Sequence, residues 1–309
     1  MKTISYLYVL VFLTSCLGDV ENYRNNLQSD IEIYIIKEGQ LTIHDSDFDL
    51  NSLQPESQPW VKSSEIELYD WSSHTFYLKK PVDKGKYSGR HFVVVSGDER
   101  LFAGIFFPMY MSSFPQLPSI IPEDDLFSPK DVILFGQFGH QFPTEQLKSD
   151  KFKKALFDAG LLSNGINVDL KQLKSKGENA VEYTFEVTNC DTETLYIPDP
   201  DKMGDSRFHY ITNGVWFFTG NTYCYSNLSD HTSFENFSES WFYKLKPGQK
   251  MTRTVEQSGF SCALSGKVNC RFSFPGAKIK TGEWKKPDGR VWIGNFYVEK
   301  EMVINYRNP

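Results

Sequence analysis

Val181-Glu182-Tyr183-Thr184-Phe185-Glu186-Val187-Thr188 alternates apolar and polar side chains without a break. A period of two over eight residues is the pattern of a strand with one buried and one wet face. Outward from this stretch the same period continues, predicting further strands over 240–245, 250–257, 267–274 and 292–304. Asn213-Gly214 stands between Phe208-His209-Tyr210-Ile211 and Val215-Trp216-Phe217-Phe218, a strong short hairpin signal. The count and spacing predict an antiparallel β-sandwich of the immunoglobulin-like kind over residues 163–309.

The preceding half mixes periods. Ile31, Ile33 and Ile35 alternate with Glu32 and Tyr34 as a half-buried strand does, and Thr75-Phe76-Tyr77-Leu78 reads as another. Ser63 caps a predicted short helix whose apolar members are Ile66 and Tyr69. Residues 91–95 and 100–107 are apolar strands joined through Ser96-Gly97-Asp98-Glu99. Phe152, Ala155, Leu156 and Ala159 fall at i, i+3, i+4 and i+7, with Ser149 or Asp150 to cap the start and Gly160 after the last turn. The expected fold is therefore mainly β with an α+β N-terminal part. A small α+β domain (29–143) is followed by a linking helix (144–162), expected as a strut, and the sandwich (163–309).

At the start of the chain a single basic residue, Lys2, precedes an apolar run from Ile4 to Leu13, too short to span a bilayer. Leu13-Thr14-Ser15-Cys16 resembles the lipobox of bacterial lipoproteins. The resemblance implies cleavage after residue 15, lipidation of Cys16 and a tether over 16–28. Leu17 after the cysteine implies the outer membrane, and the acids Asp19 and Glu21 resemble, loosely, the surface-export signal of Bacteroidetes lipoproteins. Two or more acyl chains hold a protein stably on a membrane, at about 0.8 kcal/mol per buried methylene. The order of elements from Val94 to Ile121 loosely resembles the periplasmic head of the Sec accessory subunit, and Leu245-Lys246-Pro247-Gly248-Gln249 resembles the Leu-x-Pro-Gly-Gln turn of bacterial immunoglobulin-like modules, including the proteinase inhibitor-like fold. Both resemblances speak of fold, since function resides in sites.

Net charge of −6 and the lack of a basic cluster leave no surface suited to nucleic acid. With Cys16 lipidated, Cys190, Cys224, Cys262 and Cys270 remain, an even number open to three pairings. The turn at Ser265-Gly266 favours Cys262 with Cys270, and a bridge between strands favours Cys190 with Cys224. No Cys-x-x-Cys, Gly-x-Ser-x-Gly, His-Glu-x-x-His, phosphate loop or dinucleotide fingerprint occurs, and no cofactor is expected.

Two aromatic clusters are candidate binding surfaces. One is Met109, Tyr110, Met111 and Phe114 between prolines 108 and 115, with gap-filling between the domains as the plainer expectation. The other holds Trp216, Phe217, Trp241, Phe242 and Tyr243 on neighbouring predicted strands, where adjacent aromatics must face opposite sides. The acidic turn with Asp199, Asp201 and Asp205 could gather carboxylates around a cation, while Asp45, Asp47, Asp49 and Glu56 match calcium-loop spacing with Leu50 where glycine is needed. The functional expectation is a lipid-anchored, non-catalytic binding or scaffolding protein of the envelope with protein or glycan partners. The alternative is an envelope hydrolase or protease-inhibitor-like protein, using His74 beside Asp70 and Trp71 or the acidic turn.

Overall fold

The computed structural model describes residues 30–42, 45, 48–108, 110–111, 115–123, 128–136, 145–207, 214–219, 222–226, 237–262 and 266–304. The fold is mainly β, with several antiparallel sheets and, among the described residues, one α-helix. No helix among those residues is long and apolar enough to cross a membrane.

The first unit is a single eight-stranded sheet. Its strands are β1 (Ile31–Ile35), β2 (Ile66–Asp70), β3 (Thr75–Leu78), β4 (His91–Ser96), β5 (Glu99–Phe106), β6 (Ser119–Ile120), β7 (Val132–Gly136) and β8 (Leu162–Ser163), in the order β1-β4-β5-β6-β7-β3-β2-β8. β4 shows why its strands read as continuous apolar runs. Phe92 and Val94 face helix α1 (Asp150–Asp158), while Val93 and Val95 meet Ile36, Leu53 and Ala103 on the other face. With both faces covered, neither can be polar. Gly97, at φ 57°, closes the β4–β5 hairpin as expected.

The predicted helix after Ser63 is instead one 3-10 turn, Ser63–Glu65, followed by β2. The cause is a bulge. Ile66 pairs with Leu78 and Tyr69 with Phe76, with the register shifting between Ile66 and Leu68, so residues three apart share one face of a strand. That spacing imitates a helical period. α1 forms where predicted, with the Ser149 hydroxyl accepting from Phe152 N at 3.3 Å and Gly160 following at φ 68°. It is not a strut between units. Phe152, Ala155 and Leu156 are buried in the core of the first sheet, and β8 after it pairs in parallel with β2.

The second unit contains β9 (Ile166–Ser175), β10 (Val181–Asn189), β11 (Thr194–Pro198), β12 (Val215–Thr219), β13 (Thr222–Cys224), β14 (Phe242–Leu245), β15 (Lys250–Gln257), β16 (Gly266–Pro275), β17 (Lys285–Lys286), β18 (Gly289–Val291) and β19 (Asn295–Ile304). Sheets β15-β10-β9 and β13-β12-β16-β19 are antiparallel and enclose one core. Val181, Tyr183, Phe185 and Val187 meet Phe272 and Phe274 there, with Phe185 and Phe272 ring centres 5.0 Å apart. Glu182 and Glu186, on the wet face, pair with lysines. A third sheet, β14-β11-β18-β17, contains a parallel pair, β11 and β18. The turn after Leu245 places Gly248 at φ 71° behind Pro247, as the Leu-x-Pro-Gly-Gln pattern implied. Residues 208–213 of the predicted Asn213-Gly214 hairpin lie outside the described residues; β12 pairs with β13 and β16.

The disulfide corrects the expected pairing. Cys224 bonds Cys262, while Cys190 and Cys270 are free thiols. Cys270 sits on the inner face of β16, fully buried opposite Phe217. Cys224 lies by the start of β10, since the neighbouring Ser226 bridges Phe260, whose N–H donates to Asn179 O. Cys190 follows the other end of β10, roughly 30 Å away at about 3.3 Å per residue.

Candidate functional site

The two units are locked by a polar core. Arg290, on β18 of the third sheet, is fully buried, and its Nη2 donates to Asp70 Oδ2 (2.7 Å), Ser163 Oγ (2.6 Å) and Asp191 Oδ2 (2.7 Å). Glu193 Oε1 lies 3.1 Å from Nε, within ion-pairing distance, and the Tyr77 ring centre is 5.2 Å from Cζ. Burial raises the pKa of Asp70 against the attraction of Arg290, and burial also raises that of Glu193, with Asp191 and Asp70 adding repulsion. Around this pair an apolar seam forms from Tyr77 and Val132 on one side and Phe242, Trp284, Val291 and Ile293 on the other. The Tyr77 hydroxyl donates to Val291 O (3.1 Å) and accepts from Ile293 N (2.9 Å).

Beside the lock, a cleft of about 620 Å³ opens between the units. Its first wall is the four-residue loop joining β2 to β3. Asp70 Oδ1 accepts from Ser72 N (2.9 Å), Ser72 Oγ (2.6 Å) and Ser73 N (3.2 Å), which folds the loop tightly. Ser72 Oγ in turn accepts from Ile166 N (3.1 Å) and Trp292 Nε1 (2.9 Å), tying the loop to the second unit. Closing the loop requires a left-handed residue at its last position, and His74 takes it at φ 53°. Gly165, at φ 65°, runs so close that a Cβ there would lie 2.2 Å from Asp70 Oδ1.

His74 is buried, with Nδ1 3.0 Å from the Tyr69 hydroxyl, and Nε2 has no hydrogen-bond partner among the described residues. Burial, and then the nearby Lys148 ammonium, hold its pKa down to about 4, so the ring is neutral near pH 7. Half-buried Trp71 stands at the rim, edge-on to His74 at 5.5 Å, with Lys153 Nζ 5.2 Å from its ring centre. The remaining lining comprises Lys148 in the 3-10 turn before α1, Asp150 at the start of α1, Asn164, Ile166 and Asn167 before and within β9, Cys190 after β10, and Asn295, Phe296 and Tyr297 at the start of β19. Burial pushes the Cys190 thiol above its ordinary value. The cleft thus combines an aromatic face, three side-chain amides, two ammonium groups and one carboxylate.

Other residues singled out by sequence are placed elsewhere. Cys16, Met109 and Phe114 lie outside the described residues. Tyr110 is 83% exposed, and Met111 packs against Ile105, Phe107 and Leu117 on the first sheet, away from the seam between the units. Trp216 points outward beneath the Arg271 guanidinium (4.8 Å), and its neighbour Phe217 is buried, as strand parity requires. Trp241, at the end of a 3-10 turn, Glu239–Trp241, before β14, and Phe242 face different cores, as adjacency requires, so both are buried and neither side of the pair is left as a binding surface; Trp216 and Trp241 share no surface.

The acidic turn is likewise no cation cradle. Asp199 is buried, and Arg253 Nε and Nη2 donate to its two oxygens at 2.7 and 2.8 Å, with Asp201 Oδ2 2.9 Å from the same Nε. Burial raises the Asp199 pKa, but Arg253 and the Asp201 N–H pull it below the ordinary value. A guanidinium occupies the place a cation would take, and Asp205 is exposed. Among the described residues no group of metal-ligating side chains converges. Asp45 accepts from Thr42 N, Asp49 caps Leu50–Ser52, Glu56 pairs with Arg90, and Asp47 lies outside the described residues.

Comparison with known proteins finds no matching family model, no matching curated protein and no matching solved structure. His74 was legible from its place beside Asp70 and Trp71. Lys148, Lys153, Asn164, Asn167, Asn295 and Arg290 carry no motif, and the Asn164-Gly165 turn is the sole local signal among them.

Proposed function

We propose that this chain is a non-catalytic binding protein, anchored to the cell envelope through lipidated Cys16, whose junction cleft receives a glycan. The observation that carries this reading is the pairing of the Trp71 ring with the amides of Asn164, Asn167 and Asn295 in one cleft. A sugar ring presents a C–H face and a rim of hydroxyls. An aromatic face takes the first, and an amide, with both a donor and an acceptor, matches neighbouring members of the second. The chemistry of the titratable groups supports holding over turnover. Cys190 is a protonated thiol near pH 7, and a histidine with pKa about 4 is a weak base there. The lock at Arg290 holds the walls in place, which lowers the ordering cost of binding.

The test is a glycan array probed with the full chain in detergent micelles. Retention of envelope-type glycans, weakened in Asn164→Ala and Asn167→Ala, is expected. Retention of none, or retention indifferent to both substitutions, overturns the reading. The anchor is tested separately by palmitate labelling, which Cys16→Ala should abolish; label persisting in that variant overturns it.

A further inference from the structure

The lysines around α1 divide into two sets. Lys151 pairs with Glu99 and Lys154 with Asp158, as exposed lysines commonly do. Lys148 and Lys153 line the cleft and form no ion pair among the described residues, although Asp150 stands between them in sequence. Asp150 lies in the first turn of α1, where the helix N-terminus favours a negative charge. The cleft therefore holds two ammonium groups with no carboxylate partner among the described residues, one of them over the face of Trp71. His74, also lining the cleft, adds a ring nitrogen without a hydrogen-bond partner among the described residues.

Resting on the glycan reading, we infer that the cleft selects a sugar bearing a carboxylate, such as a uronic acid, with the ring on Trp71 and the carboxylate between Lys148 and Lys153. Lys153 Nζ stands over the Trp71 ring, where a sugar that takes this face meets the ammonium directly, and Lys148 and His74 line the same cleft. A neutral sugar meets the aromatic face and the amides and leaves both ammonium groups unpaired. A polyanion such as nucleic acid does not suit a chain of net charge −6.

Calorimetric titration of the full chain in detergent with di-galacturonate, cellobiouronate and their neutral counterparts, di-galactose and cellobiose, tests this. The acidic sugar of a pair should bind about tenfold more tightly, equivalent to about 1.4 kcal/mol. The preference should shrink with added salt. In Lys148→Gln/Lys153→Gln, two exposed positions whose replacement leaves the core untouched, it should vanish. Equal affinity within each pair overturns the inference and leaves the glycan reading standing. Failure of all four sugars, together with an empty glycan array, overturns both. A preference that survives in the double variant places the carboxylate elsewhere and also overturns the inference.

Discussion

Acid should destabilise this protein through His74. The ring is buried where it lines the cleft, and its pKa falls from an ordinary 6.5 to about 4. A depressed folded-state value means that the unfolded chain binds the proton first. Between these two values the unfolded state carries more protons, so stability rises with pH across the window and is lost as pH falls toward 4. A difference of about 2.5 pH units corresponds to about 3 kcal/mol, of which about 2 should be gone by pH 4.5. His74→Asn removes the titration and keeps a residue type that tolerates the left-handed backbone at φ 53°. Urea unfolding of both proteins at pH 7, 6, 5 and 4.5 reads the effect. The wild type should lose about 2 kcal/mol more than the variant over that range. The opposing contributions of Asp70 and Glu193, whose raised values favour acid, are common to both proteins and cancel in the comparison. Equal pH dependence in the two would refute the reasoning, whatever the variant's stability at pH 7.

Three further outcomes are expected. Arg290→Ala leaves Asp70 and Asp191 buried without their cation and should cost about 3–5 kcal/mol in denaturant unfolding, whereas an exposed control such as Lys267→Ala should cost little. Cys224→Ser opens a loop of sequence separation 38 and should lower stability by about 4 kcal/mol on the loop-entropy model, with no loss when Cys190 is replaced by serine. In the native protein a thiol reagent should modify exposed Cys190, slowly because its thiol is largely protonated, and should spare buried Cys270 until the chain unfolds; equal native reactivity of the two would contradict the placement.

Much of the fold was legible locally. The stretch 181–188 alternates because its two faces meet oil and water, and the burial along it follows the sequence residue by residue. Helix α1 was readable from its cap and apolar spacing, and the hairpin at Gly97 from its turn residues. Where the reading failed, a tertiary term had won. The bulge between Ile66 and Leu68 gave a strand the spacing of a helix, and a second core buried the side of the Trp241–Phe242 pair that strand parity alone would leave exposed. Asp199 looked like a cation ligand because Arg253, fifty-four positions later, could not be seen beside it.

The sequence by itself determined which faces are buried, where the chain turns and that the architecture is mainly β, because those properties depend on neighbours a few residues apart. Only the tertiary structure decided the disulfide partners, the burial of Arg290 and the cleft. Asp70 and Arg290 are 220 positions apart, and the lining of the cleft comes from several separate stretches of chain. No local period encodes such a meeting. It follows from the packing of two units whose apolar edges and one buried ion cluster fit together in a single arrangement.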